Sequence, residues 1–128
     1  MLETKVLIVD DDPSIAESIA MIVEEAGYFP LIGRHPKEGL EMIRIHSPAL
    51  VTTDFMLPGM NGGQFIEAIR ADALARHVTP PLIVLISAVI APRIQQIKAD
   101  AFLAKPFNVD EMITLLQRLL GAGNDIIH

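Results

Sequence analysis

The chain contains no cysteine, and it is poor in positive charge. The absence of cysteine excludes a disulfide framework and any metal site that is built on thiolates. Ten lysines and arginines face sixteen aspartates and glutamates, which gives a net charge of −6 at pH 7. Binding to nucleic acid depends on clustered lysine and arginine, whereas the basic residues here are scattered. We therefore expect no direct nucleic-acid binding.

Long apolar runs are also missing. A membrane-spanning helix needs roughly 18 apolar residues, and the longest apolar run, near residues 82–91, is interrupted by Ser87. The N-terminus has no basic segment followed by an apolar stretch, so no secretory signal is predicted. With 128 residues, of which 51% are apolar, the chain has room for one core and is too apolar to be disordered. We expect a soluble cytoplasmic protein that does not enter a membrane.

Short apolar runs rich in β-branched residues alternate with segments of helical periodicity along the chain. Wholly apolar runs of this kind are typical of strands that are buried on both faces of a sheet. Pro30 predicts an edge position for the second strand, because proline cannot donate a backbone hydrogen bond to a neighbouring strand. The five predicted strands lie at residues 6–9, 28–33, 50–53, 82–86 and 101–104.

The helix ends can be read from their capping residues. Asp12 and Pro13 are suited to the N-cap and the first turn of helix one, and Gly27 is suited to end it. Asn108 and Glu111 have the spacing of a capping box at the start of the last helix. The predicted buried stripe of that helix comprises Met112, Ile113, Leu116, Leu119 and Leu120.

Five buried strands that alternate with helices predict a parallel sheet covered by helices on both faces. No linker or repeat divides the chain, so we predict one domain at residues 1–121 and a flexible C-terminal tail at residues 122–128. Ligands of such sheets bind outside the carboxyl ends of the strands. The functional residues are therefore expected at those ends.

Polar side chains follow four of the predicted strands: Asp10 and Asp11, then Asp54, Ser87 and Lys105. If the strands are central neighbours, three carboxylates meet at one edge. Two unit charges about 4 Å apart repel by roughly 4 kcal/mol at an effective dielectric constant near 20, so a cation, proton sharing or solvent must compensate. Ligands that are all oxygen and leave room for water and phosphate favour Mg²⁺ over Ca²⁺.

These residue types suit phosphoryl transfer. The carboxylate of Asp54 can act as a nucleophile and form an aspartyl phosphate. Phosphoryl transfer depends on positioning and on charge neutralisation, which a metal ion and Lys105 can supply. The hydroxyl of Ser87 can donate a hydrogen bond to a phosphoryl oxygen.

These strand-end residues and the segments around them resemble the receivers of bacterial response regulators. The matching segments occur in the order that the family shows and span nearly the whole chain, and together they are highly specific. The segments are VDDDP (residues 9–13), DFMLPGMNG (54–62), SA (87–88) and KPF (105–107).

The resemblance implies a role for each residue at the acidic edge. Asp54 would be the phosphoacceptor, and it would share Mg²⁺ with Asp10 and Asp11. The backbone carbonyl of Met56 would be a further metal ligand. The implied fold is flavodoxin-like, with the strand order 2-1-3-4-5.

The resemblance also implies a switch and its partners. Ser87 takes the position of the switch hydroxyl, Lys105 that of the phosphate-binding lysine, and Phe102 that of the aromatic residue that rotates on activation. The phosphoryl group would come from a histidine kinase, a phosphotransfer protein or a small phosphodonor. The chain would catalyse only its own phosphorylation and dephosphorylation and would control a downstream partner or output domain; a homodimer is left open.

The sequence departs from the family between Ser87 and Lys105. Their separation of 18 positions is shorter than usual by about one helical turn. Lys98 and Ala99 stand where the family usually has Gly-Ala. We therefore expect a short or irregular fourth helix within residues 91–98 and an altered output surface.

Three other functions fit parts of this pattern. A phosphatase of the haloacid-dehalogenase type would use an aspartate nucleophile, but those enzymes have a second aspartate where Met56 stands. An interaction module could keep the fold without being regulated by phosphate, and the short fourth helix is the feature that supports it. A flavin carrier is disfavoured, because acidic strand ends repel a phosphate unless a metal ion intervenes.

Overall fold

The computed structural model describes residues 3–89 and 92–121, so the predicted tail at residues 122–128 lies outside the described part of the chain. Strands and helices alternate strictly, and each predicted strand agrees with the structure to within one residue at either end. Among the described residues, no helix is both long enough and apolar enough to cross a membrane. The elements are β1 (Lys5–Val9), α1 (Pro13–Glu25), β2 (Phe29–Gly33), α2 (Pro36–His46), β3 (Leu50–Asp54), α3 (Gly62–Ala75), β4 (Leu82–Ser87), α4 (Pro92–Gln95), β5 (Ala101–Ala104) and α5 (Val109–Leu120).

The five strands form one parallel sheet with the order β2-β1-β3-β4-β5. This order confirms the predicted flavodoxin-like topology. Pro30 lies on β2, which is an edge strand as predicted. β1, β3 and β4 are central, and their carboxyl ends lie side by side at one edge of the sheet.

Alternate residues of the strands supply two apolar clusters, one on each face of the sheet. Val6 and Ile8 of β1 belong to the first cluster, which contains buried residues of α1 and α5. Leu7 and Val9 belong to the second cluster, which contains buried residues of α2, α3 and α4. The sheet is therefore covered on both faces, as predicted.

The helix ends confirm the capping predictions. Asn108 and Glu111 form a complete capping box, with N···O distances of 3.0 and 2.8 Å. Asp12 caps α1 by accepting the backbone N–H of Ser14 at 2.9 Å. Gly27 follows the end of α1 with a φ of +99°, a conformation that favours glycine.

The predicted buried stripe of α5 was partly wrong. Met112 and Leu116 are fully buried, but Ile113, Leu119 and Leu120 are only half-buried. Leu115, which was not predicted, is buried. It lies three residues after Met112 and next to Leu116, and so shares their face of the helix.

The fourth helix is short, as predicted. α4 contains four residues, and Ile94 anchors it in the second apolar cluster with only 2% of its surface exposed. At 1.5 Å per residue, four residues extend about 6 Å. α4 is therefore much shorter than α3, which has 14 residues.

Asp72 joins α2 to α3 through two arginines. Its Oδ1 accepts hydrogen bonds from Nε and Nη2 of Arg44 at 3.0 and 2.8 Å, and its Oδ2 accepts one from Nε of Arg76 at 2.8 Å. The hydrogen bonds from Arg44 lower the pKa of the Asp72 carboxyl, Arg76 adds to this effect, and partial burial opposes it. The folded state is thus stabilised when Asp72 is ionised.

We predict that Asp72→Asn lowers the urea midpoint of unfolding at pH 7, because both arginines lose their charged partner. A carboxyl with a lowered folded-state pKa contributes stability above its unfolded pKa and loses that contribution as the pH falls through the folded value. The difference in urea midpoint between the wild type and Asp72→Asn should therefore become smaller below about pH 4. Glu67→Gln, an exposed change of the same charge on α3, is the control; equal midpoints for all three proteins at pH 7 would contradict the prediction.

Candidate functional site

Three carboxylates converge at the carboxyl ends of β1 and β3. Asp10 and Asp11 directly follow β1, and Asp54 is the last residue of β3. One oxygen from each carboxylate lies within 4.8 Å of the corresponding oxygen of the other two. The residues meet because β1 and β3 are paired in parallel with Val9 opposite Thr53, so both strands end at the same level.

Asp10 is the most buried member of the group, with 3% of its surface exposed. Burial raises the pKa of its carboxyl, and the neighbouring Asp54 raises it further. The backbone N–H of Asp12 donates a hydrogen bond to Oδ1 of Asp10 at 2.9 Å, and this bond lowers the pKa of the Asp10 carboxyl. Full ionisation of the three carboxylates therefore needs positive charge close by.

Lys105 supplies one such charge. Its Nζ lies 3.5 Å from Oδ2 of Asp54, and both side chains are largely buried. The backbone N–H of Lys105 donates to the carbonyl of Ser87 at 2.9 Å, which holds the end of β5 against the end of β4. The peptide bond between Lys105 and Pro106 is cis.

The donor set fits a small divalent cation. Three carboxylates and one ammonium leave two negative charges when all are ionised, and the ligand atoms are all hard oxygens, which Mg²⁺ prefers. Asp10, Asp11 and Asp54 are the residues that would hold such an ion. The burial of Asp10 makes compensation by solvent alone less effective than at an exposed site.

Ser87 ends β4 next to this group and is 5% exposed. Its hydroxyl donates to the carbonyl of Val89 at 2.8 Å and accepts the backbone N–H of Val89 at 3.1 Å. The hydroxyl is therefore engaged within the loop that follows β4, and among the described residues it makes no hydrogen bond to Asp54. The sequence placed Ser87 at the correct edge but did not indicate these two bonds.

Met56 follows Asp54 by two residues, and Phe102 lies on β5. The side chain of Met56 is 72% exposed, and that of Phe102 is 36% exposed. On β5, an edge strand of the sheet, Phe102 is paired with Leu85 of β4. Its side chain is thus partly open to solvent.

Gly62, the last residue of the segment DFMLPGMNG, has a structural role that the resemblance did not assign. Its N–H donates to the carbonyl of Phe55 at 2.7 Å. A Cβ atom on Gly62 would lie 2.8 Å from the carbonyl oxygen of Asp54 and 2.9 Å from Cα of Phe55. Only glycine lets α3 begin this close to the backbone of Asp54; the signal in the sequence was the glycine pair at the start of that helix.

Comparison with known proteins identifies the family. The sequence model of the response regulator receiver domain matches residues 6–117. The chain therefore belongs to this family, the receiver domains of two-component response regulators, which are signalling proteins.

Curated relatives agree with this assignment. The response regulator Rre1 of Synechocystis sp. is 36% identical over 118 residues, which cover 89% of this chain and 50% of the relative. The phosphate regulon transcriptional regulatory protein PhoB of Pseudomonas aeruginosa is 32% identical over 122 residues, which cover 94% of this chain and 53% of the relative. The chain thus spans about half the length of these relatives.

Solved structures show the same fold. The chemotaxis protein CheY4 of Vibrio cholerae matches with a TM-score of 0.81 and 26% identity, over 92% of this chain and 99% of that chain. The receiver domain of the Francisella response regulator 1452 matches with a TM-score of 0.79 and 26% identity, over 94% of this chain and 99% of that chain. The structural likeness extends over nearly the whole of both chains.

We predict that Gly62→Ala destabilises the fold by about 1–3 kcal/mol, because the new methyl group must displace the backbone of Asp54. The adjacent Gly63→Ala is the matched control. There the nearest atoms are ends of side chains, Cδ1 of Ile97 at 3.1 Å and Oδ1 of Asn61 at 3.2 Å. Both changes gain the same helix propensity, so the difference between the two variants in urea unfolding isolates the backbone clash. Equal free energies of unfolding for Gly62→Ala and Gly63→Ala would contradict the prediction.

Proposed function

We propose that Asp54 accepts a phosphoryl group in a Mg²⁺-dependent reaction, from a histidine kinase, a phosphotransfer protein or a small phosphodonor. The resulting change in shape controls a downstream partner or output domain. The observation that supports this proposal is the meeting of Asp10, Asp11 and Asp54 within 4.8 Å, with Nζ of Lys105 3.5 Å from Asp54.

The proposed step is a displacement at phosphorus. A carboxylate oxygen of Asp54 forms the new bond to phosphorus, while the bond from phosphorus to the phosphohistidine nitrogen breaks and the imidazole leaves with the electron pair. The ammonium of Lys105 balances negative charge on the transferred group. Attack of water on the same phosphorus breaks its bond to the Asp54 oxygen, which releases inorganic phosphate and restores the carboxylate. The chain would thus catalyse only its own phosphorylation and dephosphorylation.

The metal ion would be held by Asp10, Asp11 and Asp54, with the backbone carbonyl of Met56 as a further ligand. When bound, Mg²⁺ supplies the positive charge that lets an anionic phosphoryl group approach three carboxylates. The buried position of Asp10 and its hydrogen bond from the backbone of Asp12 fix one ligand before the ion arrives. The side chain of Asp11 is exposed, so it can change its orientation when the ion binds.

The proposed switch begins at Ser87. Its hydroxyl now donates to the carbonyl of Val89, whereas a phosphoryl oxygen on Asp54 would offer a charged and therefore stronger acceptor. Turning the hydroxyl towards Asp54 breaks both of its bonds to Val89 and frees the loop between β4 and α4. The phosphoryl group thus biases an equilibrium between two loop conformations, and rotation of Phe102 would accompany the change.

The output of the protein remains a prediction. Some relatives carry names such as DNA-binding response regulator MtrA, from Mycolicibacterium smegmatis, but this chain covers only 54% of that relative. The prediction that the chain does not itself bind nucleic acid concerns the residues of this chain alone. A receiver of this kind can control an output of any type, including DNA binding by another domain.

The first experiment is calorimetric titration with beryllium fluoride, a phosphoryl mimic, in the presence and absence of Mg²⁺. We expect Mg²⁺-dependent binding to the wild type and none to Asp54→Asn. Asp12→Asn is the matched control, because Asp12 caps α1 next to the site and asparagine is an equally good N-cap. This variant should bind like the wild type.

Absence of binding by the wild type would contradict the proposed function and favour an interaction module that is independent of phosphate. Turnover of phosphate monoesters that is lost in Asp54→Asn would instead indicate a phosphatase. Loss of binding in Asp12→Asn as well would show that any change of charge near the site abolishes binding, and the assignment of Asp54 would then fail.

A second prediction concerns Ser87. If its hydroxyl binds the phosphoryl group, Ser87→Ala should weaken beryllium fluoride binding about tenfold, as expected for the loss of one hydrogen bond to a charged group. Ser18→Ala, which removes an exposed hydroxyl bonded to a helical carbonyl, should leave the affinity unchanged. In the wild type, the amide NMR signal of Val89 should shift on binding. Unchanged affinity in Ser87→Ala together with an unmoved Val89 signal would rule out the switch.

A further inference from the structure

A second concave site lies away from the acidic residues, between α3 and the segment that contains α4. It is a groove of about 680 Å³, which we call the α3–α4 groove. Its volume lies within the range of roughly 300–1,000 Å³ that is usual for small-molecule sites. The residues that matter for its chemistry are Phe55, Glu67, Arg70, Arg93, Ile97 and Lys98.

The groove is lined by residues of α3 and by the segment from Arg93 to Lys98, which includes the end of α4. α4 contains four residues, whereas α3 contains 14. The segment after α4 stays close to the start of α3, since a Cβ on Gly63 would lie 3.1 Å from Cδ1 of Ile97. Ile94, which is 2% exposed, anchors the other end of this contact. The walls of the groove are therefore fixed by packing.

The charge of the groove is opposite to that of the chain. Three of the ten lysines and arginines line it, together with a single carboxylate, Glu67, although the chain as a whole carries a charge of −6. Arg70 is already held by Asp100 at 3.6 Å. Asp100 is in turn fixed to β4, because it accepts the backbone N–H of Ile83 at 2.7 Å. Arg93 and Lys98, which also line the groove, are exposed.

The floor of the groove is apolar. Phe55 and Ile97 are half-buried, and the buried Ile66 lies with them along the groove. A ligand that fits must combine an apolar body, which gains from covering this floor, with negative charge that reaches Arg93 and Lys98. Free inorganic anions satisfy only the second requirement.

We propose that the α3–α4 groove binds a small aromatic anion of about mononucleotide size. The negative group lies at Arg93 and Lys98, and the ring covers Phe55 and Ile97. This inference does not depend on phosphorylation of Asp54. The groove adjoins the strand end that carries Asp54, because Phe55 directly follows Asp54 and its N–H donates to the carbonyl of Ile86 at 3.0 Å.

The test uses the full chain and the fluorescent probe 1-anilinonaphthalene-8-sulfonate, an aromatic ring system that carries one sulfonate. The double variant Arg93→Gln/Lys98→Gln should bind the dye about tenfold more weakly than the wild type. The matched control, Arg34→Gln/Lys37→Gln, makes the same change of charge at exposed positions after β2 and should bind like the wild type. Equal affinities for all three proteins, or no binding by the wild type, would overturn the proposal.

Two further measurements keep the outcome clear. Adenosine monophosphate should displace the dye, whereas adenosine, which has the same ring without the phosphate, should not; equal displacement by both would contradict the role of the charge. Amide NMR shifts on binding should fall at Gly63, Ile97 and Lys98. Shifts confined instead to the apolar groove beside α1, where Ile15 and Phe107 lie, would place the dye elsewhere and refute the site. Unchanged thermal melts confirm that the variants are folded.

Discussion

The mutual repulsion of three carboxylates at one edge of the sheet is the constraint on which the rest of the structure depends. Parallel pairing of β1 and β3 brings Asp10, Asp11 and Asp54 within 4.8 Å of one another, and the partial desolvation of Asp10 prevents water from screening their charges fully. Lys105, fixed to the end of β4 by its backbone, balances part of this charge. The fold therefore holds a site whose electrostatic energy improves when further positive charge arrives.

Much of the fold could be predicted from local patterns. Runs of four to six mostly apolar or β-branched residues marked the strands. Pro30 marked the edge of the sheet, and the capping box of Asn108 and Glu111 marked the start of α5. These signals are reliable because each depends on backbone requirements within a few residues. The short α4 followed from a comparison of spacing between Ser87 and Lys105 with the usual pattern of the family, and the carboxylate group followed from the rule that parallel strands end together.

The remaining features depend on contacts between distant residues, which a single sequence does not show. Arg44 and Asp72 are 28 residues apart, yet they join two helices. The partners of the Ser87 hydroxyl depend on the path of a loop, and the need for glycine at position 62 depends on how closely α3 approaches the backbone of Asp54. The burial of Leu115 instead of Leu119 was missed because the position of α1 relative to α5 decides which face of the last helix is covered.

The sheet separates the interior into two apolar clusters, and this division has an evolutionary consequence. Asp54 is paired with Ile86 of the first cluster, whereas Ile94 anchors α4 in the second. The side chain of Phe55, which directly follows Asp54, packs against the same second cluster as Ile94. Interior residues within each cluster can diverge, provided that they still fill the same volume. This chain and CheY4 of Vibrio cholerae share only 26% of their residues at a TM-score of 0.81, which is the pattern that such freedom to drift would produce.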